Sequence, residues 1–335
     1  MIKQKYLGKS NIKVTSIGFG AAPIADLYEI LDENLCNETI DQSYKNGINF
    51  YDTSPLYGCG LSEKRLGKYL SSINREDFIL CTKVGRYLTP SEPNKIERGA
   101  FKGGLNFAPN IDYTYDGVMK SFEQSLKRLN LSSIDVCLIH DVDKWTHGDD
   151  VEIHFKTAME GAYKALDNLR NEKVVKAIGI GVNESEMCFR FAEAGDFDCM
   201  ILAGRYTLLE QSGLEDFFPL AIKKNIGVIL AGVYNSGILA KGISSTYDYG
   251  KIPSHILDKY LKIEKVCKEF NLPIQSAALQ FCNSHPAVCT MILGMDRPKQ
   301  VNENIKYLNY KINNDFWLKL LEEGLIDSRS PIPKN

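Results

Sequence analysis

The sequence has 335 residues, of which 44% are hydrophobic, and it carries 40 basic and 42 acidic residues. This composition is typical of a folded globular protein, and the near balance of charge argues against nucleic acid or an anionic membrane as a partner. The first residues lack a signal peptide and no apolar run reaches about 18 residues, so the sequence predicts a cytoplasmic protein that binds a small molecule.

Short apolar segments rich in β-branched residues alternate along the chain with longer segments of helical period, and a predicted hairpin that turns at residues 8–11 precedes them. Such alternation predicts parallel strands joined by helices. Eight segments are predicted to be strands: 14–20, 48–53, 78–84, 135–141, 176–182, 199–204, 227–232 and 289–294. Eight strand–helix units in a chain of this length predict an α/β fold, a (β/α)8 TIM barrel, with residues 1–335 forming a single domain.

The N-terminal β-hairpin is expected to close the bottom of this barrel. Three connections, 88–115, 142–158 and 241–254, are too long to be simple turns and follow the carboxyl ends of strands. Barrel enzymes carry their sites on that face, so we expect these loops to form the walls of a pocket. A doubly wound open sheet is the alternative, but that fold usually has a GxGxxG turn after its first strand, whereas AAPIADLYE follows here.

Nine cysteines are present, an odd number without a CxxC pair. Because free cysteine is among the most buried residue types, we expect most of them to be reduced core residues. Cys59 is the exception, since it lies between Gly58 and Gly60 in a loop with other polar candidates. We expect Cys59 to be exposed and oxidisable, and Ser62 to cap the helix that follows it.

Ionisable residues end three successive predicted strands: Asp52, Lys83 and His140. Each has an ordinary explanation by itself, as a turn cap, a surface lysine or a satisfied core histidine, but neighbouring barrel strands would bring all three to one rim. Tyr57 lies on the loop just above them. We expect Asp52 to be the counter-ion of Lys83, and the ammonium to lower the pKa of Tyr57 from its ordinary value of about 10.

A phenol with a tuned pKa and a histidine that orients an oxygen can move a proton to or from a carbonyl or alcohol. The set contains no metal cluster and no second carboxylate pair, so the sequence predicts hydride transfer by a bound cofactor. Two hypotheses from other classes stay open. One is a cofactor-binding regulatory protein without useful turnover, and the other is a barrel lyase in which Lys83 forms a Schiff base.

The segments YDTSPLYGCGLSEKRLG, TKVG and LIHD together resemble the signature of the aldo-keto reductases, and the resemblance covers nearly the whole chain. It implies that Asp52, Tyr57, Lys83 and His140 are the catalytic tetrad. Further segments, such as AIGIGVNES and YNSGILA, are similar to the aldose 1-dehydrogenase branch, which includes pyridoxal 4-dehydrogenases and oxidises a cyclic hemiacetal to a lactone. The alternative within the family is a general aldehyde or ketone reductase that uses NADPH.

The resemblance also implies a nicotinamide cofactor, NAD or NADP. Gly294 and Gln300 stand where NADP-using relatives place a lysine and an arginine, which favours NAD. Arg297 and Lys299 lie close by and leave NADP open. Asn183 is expected to hold the carboxamide, because Gly181, Val182, Ala203 and Ala231 replace the usual nicotinamide contacts. The expected cofactor contacts are Asp52, Asn183, Asn235, Ser236, Gly237, Gly294, Gln300, Glu303 and Asn304.

Substrate contacts are expected from residues on the same rim. The candidates are Tyr57, His140, Asp141, Trp145 and Arg205, with Asp143 and Tyr206 as further possibilities. Trp145 is equally compatible with a role as a loop anchor. Which sugar or aldehyde these residues recognise depends on hydrogen-bond geometry that residue spacing does not supply.

Overall fold

The computed structural model describes residues 2–333, so the predicted domain limits at residues 1 and 335 lie outside it. Its strands are β1 (Gln4–Tyr6), β2 (Lys13–Thr15), β3 (Ile17–Gly20), β4 (Phe50–Asp52), β5 (Ile79–Val84), β6 (Arg86–Pro90), β7 (Phe107–Ile111), β8 (Val136–His140), β9 (Ala177–Val182), β10 (Cys199–Ala203), β11 (Gly227–Ala231) and β12 (Val288–Gly294). Eight of them form a closed barrel in the order β10-β11-β12-β3-β4-β5-β8-β9, and every pair in it is parallel. The predicted TIM barrel is confirmed.

Helices pack around the barrel in an outer layer. They are α1 (Glu33–Lys45), α2 (Leu61–Leu70), α3 (Tyr115–Leu129), α4 (Lys144–His147), α5 (Val151–Thr157), α6 (Tyr163–Asn171), α7 (Ser185–Ala194), α8 (Phe217–Lys224), α9 (Ile238–Lys241), α10 (Ser254–Glu269), α11 (Ile274–Ser284), α12 (Pro298–Leu308) and α13 (Asn314–Glu322). Each longer helix buries one apolar stripe against the strands, as Val118, Phe122 and Leu129 do in α3. Among the described residues, no helix is long and apolar enough to cross a membrane.

The first predicted strand, 14–20, is divided between two elements. Lys13–Thr15 pairs with β1 in the hairpin, and Ile17–Gly20 enters the barrel. The break falls at Ser16, whose N–H and hydroxyl both donate to the carbonyl oxygen of Lys3. The first half of this apolar run therefore pairs in the hairpin and the second half pairs in the barrel. The pattern of apolar residues does not indicate where the pairing strand changes.

The hairpin closes the barrel from below, as predicted. Leu7, Ile12 and Val14 are buried in one apolar cluster with inward-facing barrel residues such as Phe50 and Leu138. The turn needs Gly8, because its φ is +56° and a Cβ there would lie 2.2 Å from the carbonyl oxygen of Asp198. With its lower end filled by side chains, the barrel is open to ligands only at the carboxyl ends of its strands.

The three long connections lie at that open end. The first contains the antiparallel pair β6–β7, the second contains α4 and α5, and the third passes through a short 3-10 helix, Gly242–Ser244. Backbone contacts tie the first of them to the loop after β3, through the bridge between Leu27 and Phe101. These connections and the loop after β3 form the walls of a cleft.

Candidate active site

The cleft consists of two adjoining cavities, of about 470 Å3 and 620 Å3. Tyr57, Ala231, Gly232 and Tyr249 line both, so the two spaces are continuous. The larger cavity lies over the ends of β5, β8 and β9. The smaller extends toward the start of α12. A ligand in the smaller cavity and a second ligand in the larger cavity can therefore both reach Tyr57.

Three of the predicted residues meet directly at the floor of the cleft. Lys83 Nζ donates to both carboxylate oxygens of Asp52, at 2.8 and 2.9 Å, and to the carbonyl oxygen of Thr53 at 2.9 Å. The Tyr57 hydroxyl lies 3.3 Å from the same nitrogen. The His140 ring is edge-on to the Tyr57 ring, with centroids 5.9 Å apart. We call Asp52, Tyr57, Lys83 and His140 the floor cluster.

Burial sets the charges of the floor cluster. It lowers the pKa of Lys83, but Asp52 and Tyr57 raise that pKa by more, so the ammonium remains protonated. Burial also raises the pKa of Tyr57, and Lys83 only partly opposes it. The predicted lowering of the Tyr57 pKa is therefore wrong, because desolvation of the phenolate outweighs the neighbouring ammonium. Tyr57 is a proton donor at neutral pH in this state.

The loop between β4 and α2 lifts Tyr57 above the ion pair. Gly58, Cys59 and Gly60 have φ values of 57°, 52° and 92°, a left-handed run that reverses the chain before α2 begins. Cys59 is 3% exposed, and burial raises its pKa, so the prediction of an exposed, oxidisable thiol is wrong. Ser62 is not the helix cap either. Its hydroxyl donates to the Ala21 carbonyl oxygen and fixes the loop after β3.

His140 ends β8 and is held by Ser54. The Ser54 hydroxyl lies 3.0 Å from His140 Nδ1 and accepts the N–H of Leu56. A hydroxyl that accepts from Leu56 has its proton available for Nδ1, which leaves the Nε2–H to donate into the cleft. Burial, with Arg86 and Lys83 nearby, holds the pKa of His140 well below its ordinary range, so the ring is neutral.

Two charged side chains lie beside His140 and line the larger cavity, Arg86 and Asp141. Asp141 Oδ1 is 3.4 Å from His140 Nε2, and Asp141 Oδ2 is 3.2 Å from an Arg86 guanidinium nitrogen. Sequence reasoning selected Asp141 and missed Arg86. The available signal was a second cation three residues after Lys83, at the point where the chain leaves the barrel.

A tight backbone turn after β11 lines one side of the smaller cavity through Ser236 and Gly237. Asn235, Ser236 and Gly237 have consecutive positive φ values of 45°, 54° and 108°, and the N–H groups of Asn235 and Gly237 donate to the carbonyl oxygens of Gly232 and Tyr234. Asn235 is buried, its amide donates to the Gly204 carbonyl oxygen, and its Oδ1 has no partner among the described residues. Such an orphaned acceptor fits a polar ligand that carries hydrogen-bond donors.

Asn183 follows β9 and lines the larger cavity. Its backbone N–H and side-chain amide both bind Asp143 Oδ2, at 3.0 and 3.2 Å. Asp143 is fully buried and does not reach the cleft, so the suggestion that it contacts substrate is wrong. Asp143 instead fixes Asn183 in the wall of the larger cavity.

The far end of the smaller cavity is formed by the start of α12. Gln300 Oε1 accepts the N–H groups of Asp296 and Arg297, and Arg297 binds Glu29 at 2.6 Å. We call Glu29, Asp296, Arg297 and Gln300 the outer rim. Gly294, Glu303 and Asn304 line the cavity next to it, as do Ser236 and Gly237. Of the predicted cofactor residues, seven line the smaller cavity, Asn183 lines the larger one and Asn235 lines neither; the seven are Asp52, Ser236, Gly237, Gly294, Gln300, Glu303 and Asn304.

The predicted substrate residues divide into two groups. Trp145 lines the larger cavity, and its N–H is fixed by the Glu184 carboxylate at 2.9 Å. Arg205 does not line either cavity in the part of the chain described; its guanidinium binds Asp248 at 3.0 Å. Tyr206 is buried between Phe218 and Phe281 in the core. The contact proposed for Tyr206 is therefore wrong, because its ring lies in the core. The contact proposed for Arg205 stays a prediction.

Comparison with known proteins agrees with this architecture. The model of the Aldo/keto reductase family matches residues 16–322. Pyridoxal 4-dehydrogenase of Microbacterium luteolum is 35% identical, over 97% of this chain and 98% of that protein. D-threo-aldose 1-dehydrogenase of Pseudomonas sp is 33% identical, over 95% of this chain and 96% of that protein. L-galactose dehydrogenase of Arabidopsis thaliana is 30% identical, over 91% and 87%.

A solved aldo-keto reductase of Bacillus halodurans has the same fold, with a TM-score of 0.77 over 100% of this chain and 99% of that one at 22% identity. The family match and the named relatives, together with the open barrel rim and its floor cluster, show an oxidoreductase that acts on small molecules with a nicotinamide cofactor. The chain belongs to the aldo/keto reductase family.

Proposed function

We propose that this enzyme oxidises the hemiacetal carbon of a small sugar to a lactone and prefers NAD as its hydride acceptor. The observation that carries the proposal is the 3.3 Å contact between the Tyr57 hydroxyl and the charge-paired Lys83 at the meeting point of the two cavities. The Microbacterium relative, 35% identical, is named a pyridoxal 4-dehydrogenase, and the Pseudomonas relative, 33% identical, is named a D-threo-aldose 1-dehydrogenase. A pyridoxal-like hemiacetal is the second candidate substrate, on the strength of the first of these relatives.

The proton is handled by the floor cluster. In oxidation, Tyr57 must first lose its phenol proton, a step that burial disfavours by raising its pKa and that the ammonium of Lys83 partly offsets. The phenolate then accepts the proton of the hemiacetal hydroxyl. A nicotinamide cofactor bound beside Ser236, Gly237 and Gln300 would supply the acceptor for the hydride of the same carbon. The products are the lactone and the reduced cofactor, and Tyr57 returns its proton to solvent. His140 Nε2–H donates to the substrate oxygen and fixes its position.

The geometry disfavours the Schiff-base hypothesis. An amine that attacks a carbonyl must be neutral, whereas Asp52 and Tyr57 keep Lys83 protonated by raising its pKa. Its three donor positions are also directed at Asp52 and the Thr53 carbonyl oxygen, in addition to Tyr57.

Charge at the outer rim supports a preference for NAD. Binding the 2'-phosphate of NADP requires free cationic side chains. Arg297 is engaged by Glu29, and Lys299 lies 3.5 Å from Glu303. Asp296 adds a carboxylate to the cavity wall. A ribose with two hydroxyl groups suits such a surface better than a phosphate dianion.

The remaining proposals concern the protein as a whole. We propose that residues 1–335 act as one domain. The nine cysteines are all unpaired in the described structure, which supports our expectation of a reducing, cytoplasmic location.

A substrate panel assayed with NAD and with NADP tests the function. The panel contains L-galactose, L-fucose, a D-threo-aldose, pyridoxal and a simple aliphatic aldehyde, and formation of reduced nicotinamide is followed by absorbance. We expect at least one sugar to reduce NAD with a higher kcat/KM than NADP. Tyr57→Phe is the inactive control. A parallel assay with NADPH follows loss of its absorbance. Consumption of NADPH by simple aldehydes with inert sugars would indicate a general reductase, and tight cofactor binding without turnover would indicate a regulatory protein.

A further inference from the structure

Beside the floor cluster, the larger cavity contains one ion pair that proton transfer does not use. Arg86 and Asp141 are 6% and 16% exposed, and together they line the wall next to His140. Nearby wall residues are apolar, among them Leu56, Phe101 and Ile201. Placing two charges in a largely apolar wall carries a desolvation penalty, so a contact with ligand is a physical reason for their presence.

The backbone holds Asp141 in a strained conformation. Its φ is 52°, in the left-handed region that non-glycine residues rarely occupy. The conformation is fixed on both sides of the residue. The Asp141 N–H donates to the Gly181 carbonyl oxygen at 2.8 Å, and the Tyr113 hydroxyl lies within 3.1 Å of the carbonyl oxygens of both His140 and Asp141. Strain that the surroundings maintain in this way is typical of functional sites.

Arg86 holds both the backbone of His140 and the side chain of Asp141 in place. One of its guanidinium nitrogens donates to the His140 carbonyl oxygen at 3.3 Å, and another pairs with Asp141 Oδ2. Asp141 Oδ1 remains directed toward the space in front of His140 Nε2, at 3.4 Å, a distance too long for a good hydrogen bond. This oxygen is thus a preorganised acceptor, adjacent to the position where His140 donates to the substrate.

We propose that Asp141, held by Arg86, determines substrate specificity by accepting a hydrogen bond from the hydroxyl on the carbon next to the reacting hemiacetal carbon. The substrate class is then aldoses that carry a 2-hydroxyl group. A hydroxyl on the neighbouring carbon lies beside the oxygen that His140 and Tyr57 bind, which is where Asp141 Oδ1 is directed. The inference rests on the proposed function and names the substrate class of the same site.

A comparison of an aldose with its 2-deoxy analogue tests the proposal. A site built to bind a hydroxyl group rejects the analogue that lacks it, since the buried acceptor is left unpaired. We expect the wild-type kcat/KM for L-galactose to exceed that for 2-deoxy-L-galactose by about a hundredfold. In Asp141→Asn, the ratio falls to about tenfold or less, because a neutral acceptor binds the hydroxyl more weakly. We expect the lower kcat/KM of Asp141→Asn for L-galactose to arise mainly from a higher KM.

One further variant is a control and one is a second test. Asp149→Asn changes an exposed aspartate on the same connection and keeps the wild-type ratio. Arg86→Lys retains the charge but not the two-point fixation, and we expect it to lower the ratio as well. Circular dichroism, and cofactor binding measured by protein fluorescence, identify a variant that misfolds. If either Asp141→Asn or Arg86→Lys misfolds, the specificity ratio of the one that folds tests the proposal.

The possible results separate this proposal from the proposed function. Equal kcat/KM for the two sugars in the wild type, or an unchanged ratio in folded Asp141→Asn and Arg86→Lys, would overturn the role of Asp141 while leaving the dehydrogenase activity in place. If neither sugar nor any other aldose reduces the cofactor, the proposed function itself fails.

Discussion

The floor cluster and the outer rim hold their charges in opposite ways. At the floor, Lys83 and Asp52 are 3% and 2% exposed, and each satisfies the other. At the outer rim, Arg297 and Glu29 are 36% and 55% exposed, so water solvates both charged groups. A buried pair is costly to break, whereas an exposed pair contributes little and is easily exchanged. The residues of proton transfer are therefore held by a buried ion pair that tolerates little change. The residues that we expect to discriminate between NAD and NADP are held by an exposed pair that a substitution can alter at little cost in stability.

The largest effect is expected from Tyr57→Phe, which removes the proton donor and acceptor of the floor cluster. Loss of a general acid or base typically lowers the rate by about 10²- to 10⁴-fold, and we expect kcat to fall within that range. Cofactor affinity, measured by fluorescence titration, should stay near the wild-type value. Tyr6→Phe, on the hairpin at the other end of the barrel, is the matched control. Turnover above about a tenth of wild type would remove Tyr57 from the mechanism.

Asp52→Asn removes the buried counter-ion of Lys83. It leaves the Lys83 ammonium buried without a counter-ion, and we expect the free energy of unfolding to fall by about 3–5 kcal/mol. Denaturant unfolding measures this quantity. The exposed control Asp149→Asn should lie within about 0.5 kcal/mol of wild type. A variant as stable as the wild type would show that Lys83 does not need its partner.

The pH dependence of KM reports on the charge of Asp141 in the larger cavity. Burial raises the pKa of Asp141 to about 6, with Asp143 adding to the rise and Arg86 and Lys83 opposing it. Asp141 is therefore ionised above that pH and protonated below it. We expect KM for a 2-hydroxy aldose to rise as pH falls below about 6, approaching tenfold per unit. Asp141→Asn should abolish this rise; its persistence in the variant would assign the titration to another group.

The smallest effect is expected at the outer rim. Glu29→Gln frees Arg297, and we expect kcat/KM for NADP to rise about two- to fivefold, because an exposed ion pair is worth at most about 1 kcal/mol. The kcat/KM for NAD should be unchanged. Glu322→Gln, an exposed residue of α13, is the matched control. A rise with both cofactors, or with neither, would show that Arg297 does not discriminate between them.

The same contrast explains what could be predicted from the sequence. The barrel and the floor cluster follow from local patterns, since parallel strands bring their carboxyl ends to one rim wherever the helices lie. Asp52, Lys83 and His140 each end a strand, so their convergence required no knowledge of loop structure. The hairpin beneath the barrel was likewise visible from one glycine turn between two short extended segments.

Loop conformation and burial were not predictable in this way. Arg205 was selected for its position after β10, but its partner Asp248 lies on a distant connection. Cys59 was expected to be exposed because it lies between glycines, although the left-handed turn that those glycines permit is what buries it. The direction of the Tyr57 pKa depends on how much water the loops exclude, and residue spacing carries no measure of that quantity.

The most direct test of the proposed reaction follows the hydride itself. An aldose that is a substrate, deuterated at C1, is incubated with NAD and the enzyme, and both products are analysed by NMR and mass spectrometry. Hydride transfer from the hemiacetal carbon predicts deuterium on the reduced nicotinamide and an unlabelled lactone, formed in equal amounts. Reduced nicotinamide without deuterium, or a sugar product that retains it, would contradict transfer from that carbon.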